Sequence, residues 1–138
     1  MDFNANQMRE DALIKKGMYQ FRVLQGREKT SGSGNAMMVL KLALTVDGRD
    51  KPFWCTLIFI PKMFWLVEHF CKATGMPEKI DDGRLMAQDC DGKGGFLEID
   101  HRVNKETGEV EDYVKDFIVP EPLTTNDTID DDVPNFAS

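Results

Sequence analysis

The chain has 138 residues, 41% of them hydrophobic, and a formal net charge of −7. This length favours one domain with its own core and excludes two domains of ordinary size. No apolar run approaches the roughly 18 residues of a membrane-spanning helix, and the polar N-terminus does not resemble a secretory signal. We therefore expect a cytoplasmic protein that does not enter a membrane.

The acidic charge is unevenly distributed along the chain. Residues 1–79 hold 12 basic and 8 acidic side chains, whereas residues 80–138 hold 5 and 16. Because charge acts locally in a folded protein, the net value does not exclude a basic surface built from the first half.

The first half predicts three strands. Tyr19 to Val23 alternates apolar and polar residues, which predicts strand one, and the Gly- and Ser-rich segment Gln25 to Asn35 predicts a basic loop. Met38 to Val46 alternates most clearly and predicts strand two. Asp47 and Gly48 favour a hairpin turn, and Phe53 to Ile60 predicts strand three.

The second half predicts one helix and two further strands. The apolar spacing from Met63 to Thr74 is that of an amphipathic helix, which Gly75 ends. Residues 76–93 predict an irregular acidic stretch. Phe96 to Val103 and Glu109 to Val119 then predict strands four and five.

This order predicts a mainly β protein, a five-stranded OB-fold barrel with a helix between strands three and four, although other small α+β folds share it. We divide the chain into an N-terminal arm (1–15), the OB domain (16–123) and a disordered acidic tail (124–138). Phe21, Phe53 and Phe59 are expected in the core. The N-terminal arm is expected to cover Trp65, which shares the polar face of the helix; a subunit contact is the alternative.

The tail combines an acidic cluster with an apolar end. An apolar pocket with a basic rim binds such a peptide, so we expect it to recruit partner proteins. The predicted partner-binding residues are Asp130, Asp131, Asp132, Val133, Pro134 and Phe136.

The tail resembles the acidic tip of bacterial single-stranded DNA-binding proteins, from which it departs by inserting Asn135 and by adding Ala137 and Ser138 after Phe136. Residues 15–120 are similar to phage-encoded single-stranded DNA-binding OB proteins. The motifs that carry this second likeness are Lys16, Gly17 and Tyr19, the segment Lys29 to Met38 with its Ser-Gly-Ser-Gly-Asn run, Asp47 and Gly48, and the segment Val114 to Ile118.

The resemblance implies a protein that binds and protects single-stranded DNA in phage or bacterial replication, recombination or repair, and that is not an enzyme. Such binding needs cations for phosphates and aromatic rings for bases. The candidates are Arg22, Arg27, Lys29, Lys41, Arg49, Lys51, Arg102, Lys105 and Lys115, with Trp54 and Tyr113 as the stacking residues.

The residues do not favour a calcium or a zinc site, and they leave two other functions open. Asp89, Asp91 and Asp100 are spaced as in a calcium loop, but Lys93 occupies a ligand position and a strand follows where a helix is required. Cys55, Cys71 and Cys90 have neither zinc-site spacing nor an even number, so we expect no metal and no cofactor. A regulatory OB module that binds proteins and not DNA is the alternative function, a metal-dependent nuclease is a weaker one, and a homodimer is left open.

Overall fold

A computed structural model describes residues 1–120 of the chain, without the side chains of Asn6 and Glu10. Residues 121–138, with the predicted acidic tail, lie outside the described residues. The elements in chain order are α1 (Ala5–Ala12), β1 (Gly17–Thr30), β2 (Ala36–Val46), β3 (Arg49–Ile58), a 3₁₀ helix (Pro61–Met63), α2 (Phe64–Ala73), α3 (Glu78–Asp82), α4 (Ala87–Cys90), β4 (Gly94–Val103) and β5 (Val110–Phe117).

The strands form one antiparallel sheet in the order β3-β2-β1-β4-β5. The prediction of a mainly β protein with five strands and a helix between the third and fourth is confirmed. β3 and β5 are the edges, and within residues 1–120 no hydrogen-bonded ladder joins them. The sheet is therefore open at this seam, and the predicted barrel is not closed.

The first strand is longer than predicted because it continues past a β-bulge. The register of the pairing between β1 and β2 shifts between Val23 and Gln25, and the pairing then continues to Thr30. The prediction that Arg27 and Lys29 lie in a loop is wrong, since both belong to β1 and the loop holds only residues 31–35. The bulge makes the alternation change phase, which hides the second part of the strand from a period-two search.

An aromatic cluster forms the centre of the core between the sheet and α2. The ring of Phe70 lies 5.1 Å from that of Phe117, and Phe21 lies 5.4 Å from Phe117. Phe21 and Phe53 are buried, as predicted. The prediction for Phe59 is wrong: its side chain is 36% exposed, because β3 ends at Ile58 and the chain turns towards the 3₁₀ helix before the alternation reaches it.

The predicted turn at Asp47 and Gly48 and the predicted helix end at Gly75 are both present. Asp47 and Gly48 both have positive φ, 52° and 77°, as a tight hairpin requires. Gly75, with φ of 77°, follows the end of α2. Residues 76–93 are not irregular throughout, because they contain α3 and α4, and α4 packs on β1 where the backbone N–H of Ala87 donates to Glu28 at 3.0 Å.

The N-terminal arm is fixed to the β4–β5 hairpin. The backbone N–H of Ile14 donates to Asp112 at 2.8 Å, and His101 Nε2 donates to the carbonyl of Ile14 at 2.7 Å. The arm therefore lies against His101 and Asp112, while Trp65 is 42% exposed on α2. The expectation that the arm covers Trp65 is wrong.

The three cysteines are free and buried. Burial raises the pKa of the Cys55 and Cys90 thiols to about 12 and that of Cys71 to about 11. None of the helices in residues 1–120 combines the length and apolar character needed to cross a bilayer.

Candidate nucleic-acid interface

One face of the sheet lines the core, and the other is solvated along β1, β2 and β3. Side chains alternate between the two faces along a strand, so the buried Phe53, Cys55 and Leu57 place Trp54 on the solvated face. We call this the outer face. Its predicted site residues are Arg22, Arg27 and Lys29 of β1, Lys41 of β2 and Trp54 of β3.

The bulge in β1 brings the cations onto this face. Before it, Val23 points to the core and Arg22 outwards; after it, Gly26 and Glu28 pair with the buried Leu40 and Met38. The extra residue therefore puts Arg27 on the same face as Arg22, with Lys29 two residues further along. In an unbroken strand, Arg27 would point into the core.

Lys41 and Trp54 are paired directly across β2 and β3. The ammonium of Lys41 lies 5.8 Å from the centroid of the indole, within the range of a cation–π interaction. Trp54 is nevertheless 63% exposed, so its ring is available to a partner. An exposed indole beside a cation suits the stacking of a base whose phosphate meets the ammonium.

Most of the outer-face cations have no acidic partner within residues 1–120. Within residues 1–120, neither Arg27, Lys29 nor Lys41 forms a salt bridge, and Arg22 lies 3.9 Å from Asp50 with both side chains exposed. An exposed pair at that distance is weak. An anionic ligand could therefore meet these cations without displacing a buried carboxylate.

Two predicted residues lie on the opposite face. Arg49 pairs with Val46, and Lys51 pairs with the buried Leu44, so both differ in direction from Trp54. Lys51 lines a depression together with Leu13 and Ile14 of the arm. Trp54 also lines this depression, but neither Arg49 nor Lys51 lies on the face that carries the outer-face cations.

The open seam between β3 and β5 is a cleft of about 750 Å³. We call it the seam cleft. Both predicted stacking residues, Trp54 and Tyr113, line it, one from each edge strand, and Trp65 and Leu66 of α2 line it as well. The other lining residues are Cys55, Thr56, Ile58, Met63, Glu98, Arg102, Glu111, Asp112, Val114, Lys115 and Asp116.

On the β4–β5 side of the cleft, each predicted cation has acidic partners. Arg102 Nε donates to Glu111 at 2.8 Å, while its guanidinium lies 4.4 Å from the centre of the Tyr113 ring. Hydrogen bonds from Arg102 and Asn104 hold the pKa of Glu111 below its usual value. Lys115 lies 3.8 Å from carboxylate oxygens of both Glu98 and Asp100.

Asp100 is held by several groups at once. The backbone N–H of His101, followed by the charges of Lys16 and Lys115, lowers its pKa despite partial desolvation. Lys105 lies apart, exposed in the tight loop between β4 and β5, where the Asn104 side chain accepts two backbone N–H groups. It is not brought together with the outer-face cations.

Two exposed aromatic residues were missed as site candidates. Trp65 lines the seam cleft and makes an edge contact with His69, whose Nδ1 donates to Asp116 at 2.7 Å. Phe96 lies on the solvated side of β4 and is 51% exposed. Its position was detectable, because Phe96 alternates with the buried Leu97 and shares its direction with Glu98.

Among residues 1–120, no three His, Cys, Asp or Glu side chains are placed to hold a metal ion together. No protein-family model matches the chain, and no curated protein sequence matches it. The described structure thus presents an exposed aromatic residue among cations of which only Arg22 has a carboxylate partner, itself exposed. A cleft lined with aromatic and acidic residues lies next to it.

Proposed function

We propose that the protein binds single-stranded DNA without sequence preference across the outer face of its sheet. The observation that carries this proposal is the exposed indole of Trp54 beside Lys41, on the same face as Arg22, Arg27 and Lys29. Cations attract the phosphates, and a ring stacks on any base, since every base has a π face.

We further propose that the fold is a partly open OB barrel. The first strand is central and pairs with the second and fourth, and α2 lies between the third and fourth strands in the chain. OB folds bind oligonucleotides on the face of strands two and three, which here carries Lys41 and Trp54. The short motifs in residues 15–120 that resemble those of phage-encoded single-stranded DNA-binding proteins favour the same function.

In this proposal the tail recruits replication or recombination proteins in the bacterial cytoplasm, and the protein has no catalytic role. Asp130 to Asp132 would meet a basic rim and Phe136 an apolar pocket of the partner. A peptide of residues 124–138 should therefore compete with the full chain for such a partner, whereas the same peptide with Phe136→Ala should compete poorly.

Fluorescence anisotropy with labelled oligo-dT at several salt concentrations tests DNA binding. If four outer-face cations contact phosphates, the logarithm of the affinity should fall with the logarithm of salt with a slope of about −3. Lys41→Ala should weaken binding and reduce that slope. Lys51→Ala is the matched control, since it removes the same charge from the opposite face, and an equal effect of both would contradict the proposal.

Intrinsic fluorescence gives a second readout, because both tryptophans of the chain, Trp54 and Trp65, line the seam cleft. Oligo-dT should quench the emission of a Trp65→Phe variant, in which Trp54 is the remaining indole. Trp54→Ala should weaken binding by roughly 1–3 kcal/mol, the usual contribution of one stacked base. No binding at low salt would end the proposal.

The seam cleft favours a second candidate function, binding of a basic extended peptide. Four acidic residues line it, Glu98, Glu111, Asp112 and Asp116, against Arg102 and Lys115. An extended peptide could add to an unpaired edge strand there. If a basic peptide binds and Lys41→Ala leaves that binding unchanged while DNA does not bind, the peptide is the ligand.

A further inference from the structure

Phe96 presents an aromatic ring to solvent in the middle of a sheet face. Its neighbours Leu97 and Ile99 point into the core and are almost fully buried, so Phe96 and Glu98 share the opposite face. An exposed Phe is by itself common on protein surfaces. The residues next to Phe96 determine what its exposed ring can contact.

β1 places Phe96 on the same face as the outer-face cations. Phe96 pairs with Gln20, and the preceding residue on its face, Gly94, pairs with Arg22. A Cβ at Gly94 would lie 2.7 Å from the carbonyl oxygen of Phe21, so this position needs glycine. Gly94 has no side chain to cover the Phe96 ring, which is therefore open on the side of Arg22.

We infer that Phe96 is a second base-stacking position, distinct from Trp54, and that a bound single strand crosses the sheet from β3 to β4. This inference rests on the proposed function. Arg22 lies on the middle strand between the two rings, where it can meet a phosphate. The strand would thus contact, in order, Trp54, Lys41, Arg22 and Phe96.

The spacing of the two rings fits such a path. Trp54 and Phe96 are separated by three strand-to-strand steps and by four residues along the strands. With about 4.8 Å per step and about 3.4 Å per residue, the two positions are roughly 20 Å apart over the sheet surface. About six stacked nucleotides cover this distance at 3.4 Å each, and an extended strand needs fewer.

A single strand fits this patch better than a second copy of the chain. The apolar neighbours of Phe96 include Met18, which is 63% exposed, and the half-buried Ile118, whose backbone N–H donates to the carbonyl of Phe96 at 2.9 Å. Gln20, Arg22 and Glu98 are polar neighbours on the same face. A stable protein interface buries about 800 Å² on each partner, and one aromatic side chain contributes 150–250 Å². One stacked base needs only the ring.

Binding of labelled oligo-dT of about 12 nucleotides, within the usual range of OB site sizes, tests the inference. Phe96→Ala should weaken binding about fivefold or more, which corresponds to loss of one stacked base. Met18→Ala is the matched control: it removes an apolar side chain of the same patch that has no π face, and it should leave the affinity unchanged. Circular dichroism establishes that both variants are folded.

A direct signal comes from Phe96→Trp in a chain that also carries Trp54→Phe and Trp65→Phe, so that the emission reports position 96 alone. Oligo-dT should quench it. Unchanged affinity of Phe96→Ala, or no quenching at position 96 in a chain that binds DNA, overturns the inference and leaves the proposed function standing. Equal losses from Phe96→Ala and Met18→Ala, with dissociation of a dimer in sedimentation, also overturn it. If the unaltered protein binds no DNA, both proposals fail.

Discussion

The β1–β2 part of the sheet and the β4–β5 hairpin carry similar cations, but those of the hairpin are paired with carboxylates. On β1 and β2, Arg27, Lys29 and Lys41 have no carboxylate partner within residues 1–120. On β4 and β5, Arg102 is bound to Glu111, and Lys115 lies between Glu98 and Asp100. A phosphate can meet the first group directly but must compete with a carboxylate for the second.

The number of basic residues therefore does not locate a polyanion site. Each exposed ion pair contributes little to stability, about 0–1 kcal/mol, but it decides whether a cation is available to a ligand. The uneven charge of the sequence already divides the chain at about residue 80. In the fold, that division becomes a difference between neighbouring surfaces of one sheet.

The largest predicted effect is on the free energy of unfolding, from a substitution in the core, where residues of β1 and β5 meet. Phe70 is fully buried and packs against Phe117 of β5 and Phe21 of β1. Phe70→Ala should lower the free energy of unfolding by about 3–5 kcal/mol, through lost burial and an unfilled cavity. Urea denaturation followed by circular dichroism measures this.

Phe59→Ala is the control for that measurement, since it truncates the same side chain at a 36% exposed position. Its effect should be well below that of Phe70→Ala. Equal losses from the two variants would contradict the prediction that the packing of Phe70 against Phe21 and Phe117 stabilises the fold more than the exposed ring of Phe59 does.

The next effect compares the two sets of cations in DNA binding. The triple variant Arg27→Ala, Lys29→Ala and Lys41→Ala should reduce the steepness of the salt dependence by about 2, at roughly 0.7 per phosphate contact. Arg102→Ala with Lys115→Ala should change it little, because their carboxylate partners already neutralise them. Anisotropy titrations of both variants measure this, and equal effects would erase the proposed distinction.

Much of the fold could be predicted because its signals are local. Alternation predicts β2, a positive-φ pair predicts the turn at Asp47 and Gly48, and the spacing from Met63 to Thr74 predicts α2. The second part of β1 was missed, because the bulge at Leu24 shifts the alternation and leaves Gly26 and Glu28 on the core side. A glycine and a charged residue at these two positions are typical of a loop.

The site could be predicted only in part. Trp54 was recognised as a stacking candidate, and its exposure follows from the buried residues on either side of it. The separation of Lys51 from Lys41 depends on strand register, and the pairing of Arg102 with Glu111 depends on how β4 and β5 align. These are relations between strands, which a search along one segment does not contain.

The smallest predicted effect is that of neutralising Glu111, the carboxylate to which Arg102 donates a hydrogen bond. Hydrogen bonds from Arg102 and Asn104 lower the pKa of Glu111, so its ionised form is favoured by folding. That contribution is present above the ordinary carboxyl pKa and is lost as the pH falls through the lowered value. Glu111→Gln should therefore reduce stability at neutral pH and flatten its decline towards acidic pH.

Melting temperatures between about pH 7 and pH 3, a range that spans the ordinary glutamate pKa, measure this. Glu106→Gln is the matched control, because the Glu106 carboxylate has no hydrogen bond or ion pair within the described residues. Glu111→Gln should also raise DNA affinity slightly, since a neutral amide holds Arg102 less strongly and repels no phosphate. A variant that lost stability without gaining affinity would show that Arg102 lies outside the path of the strand, and that its ion pair with Glu111 serves the hairpin alone.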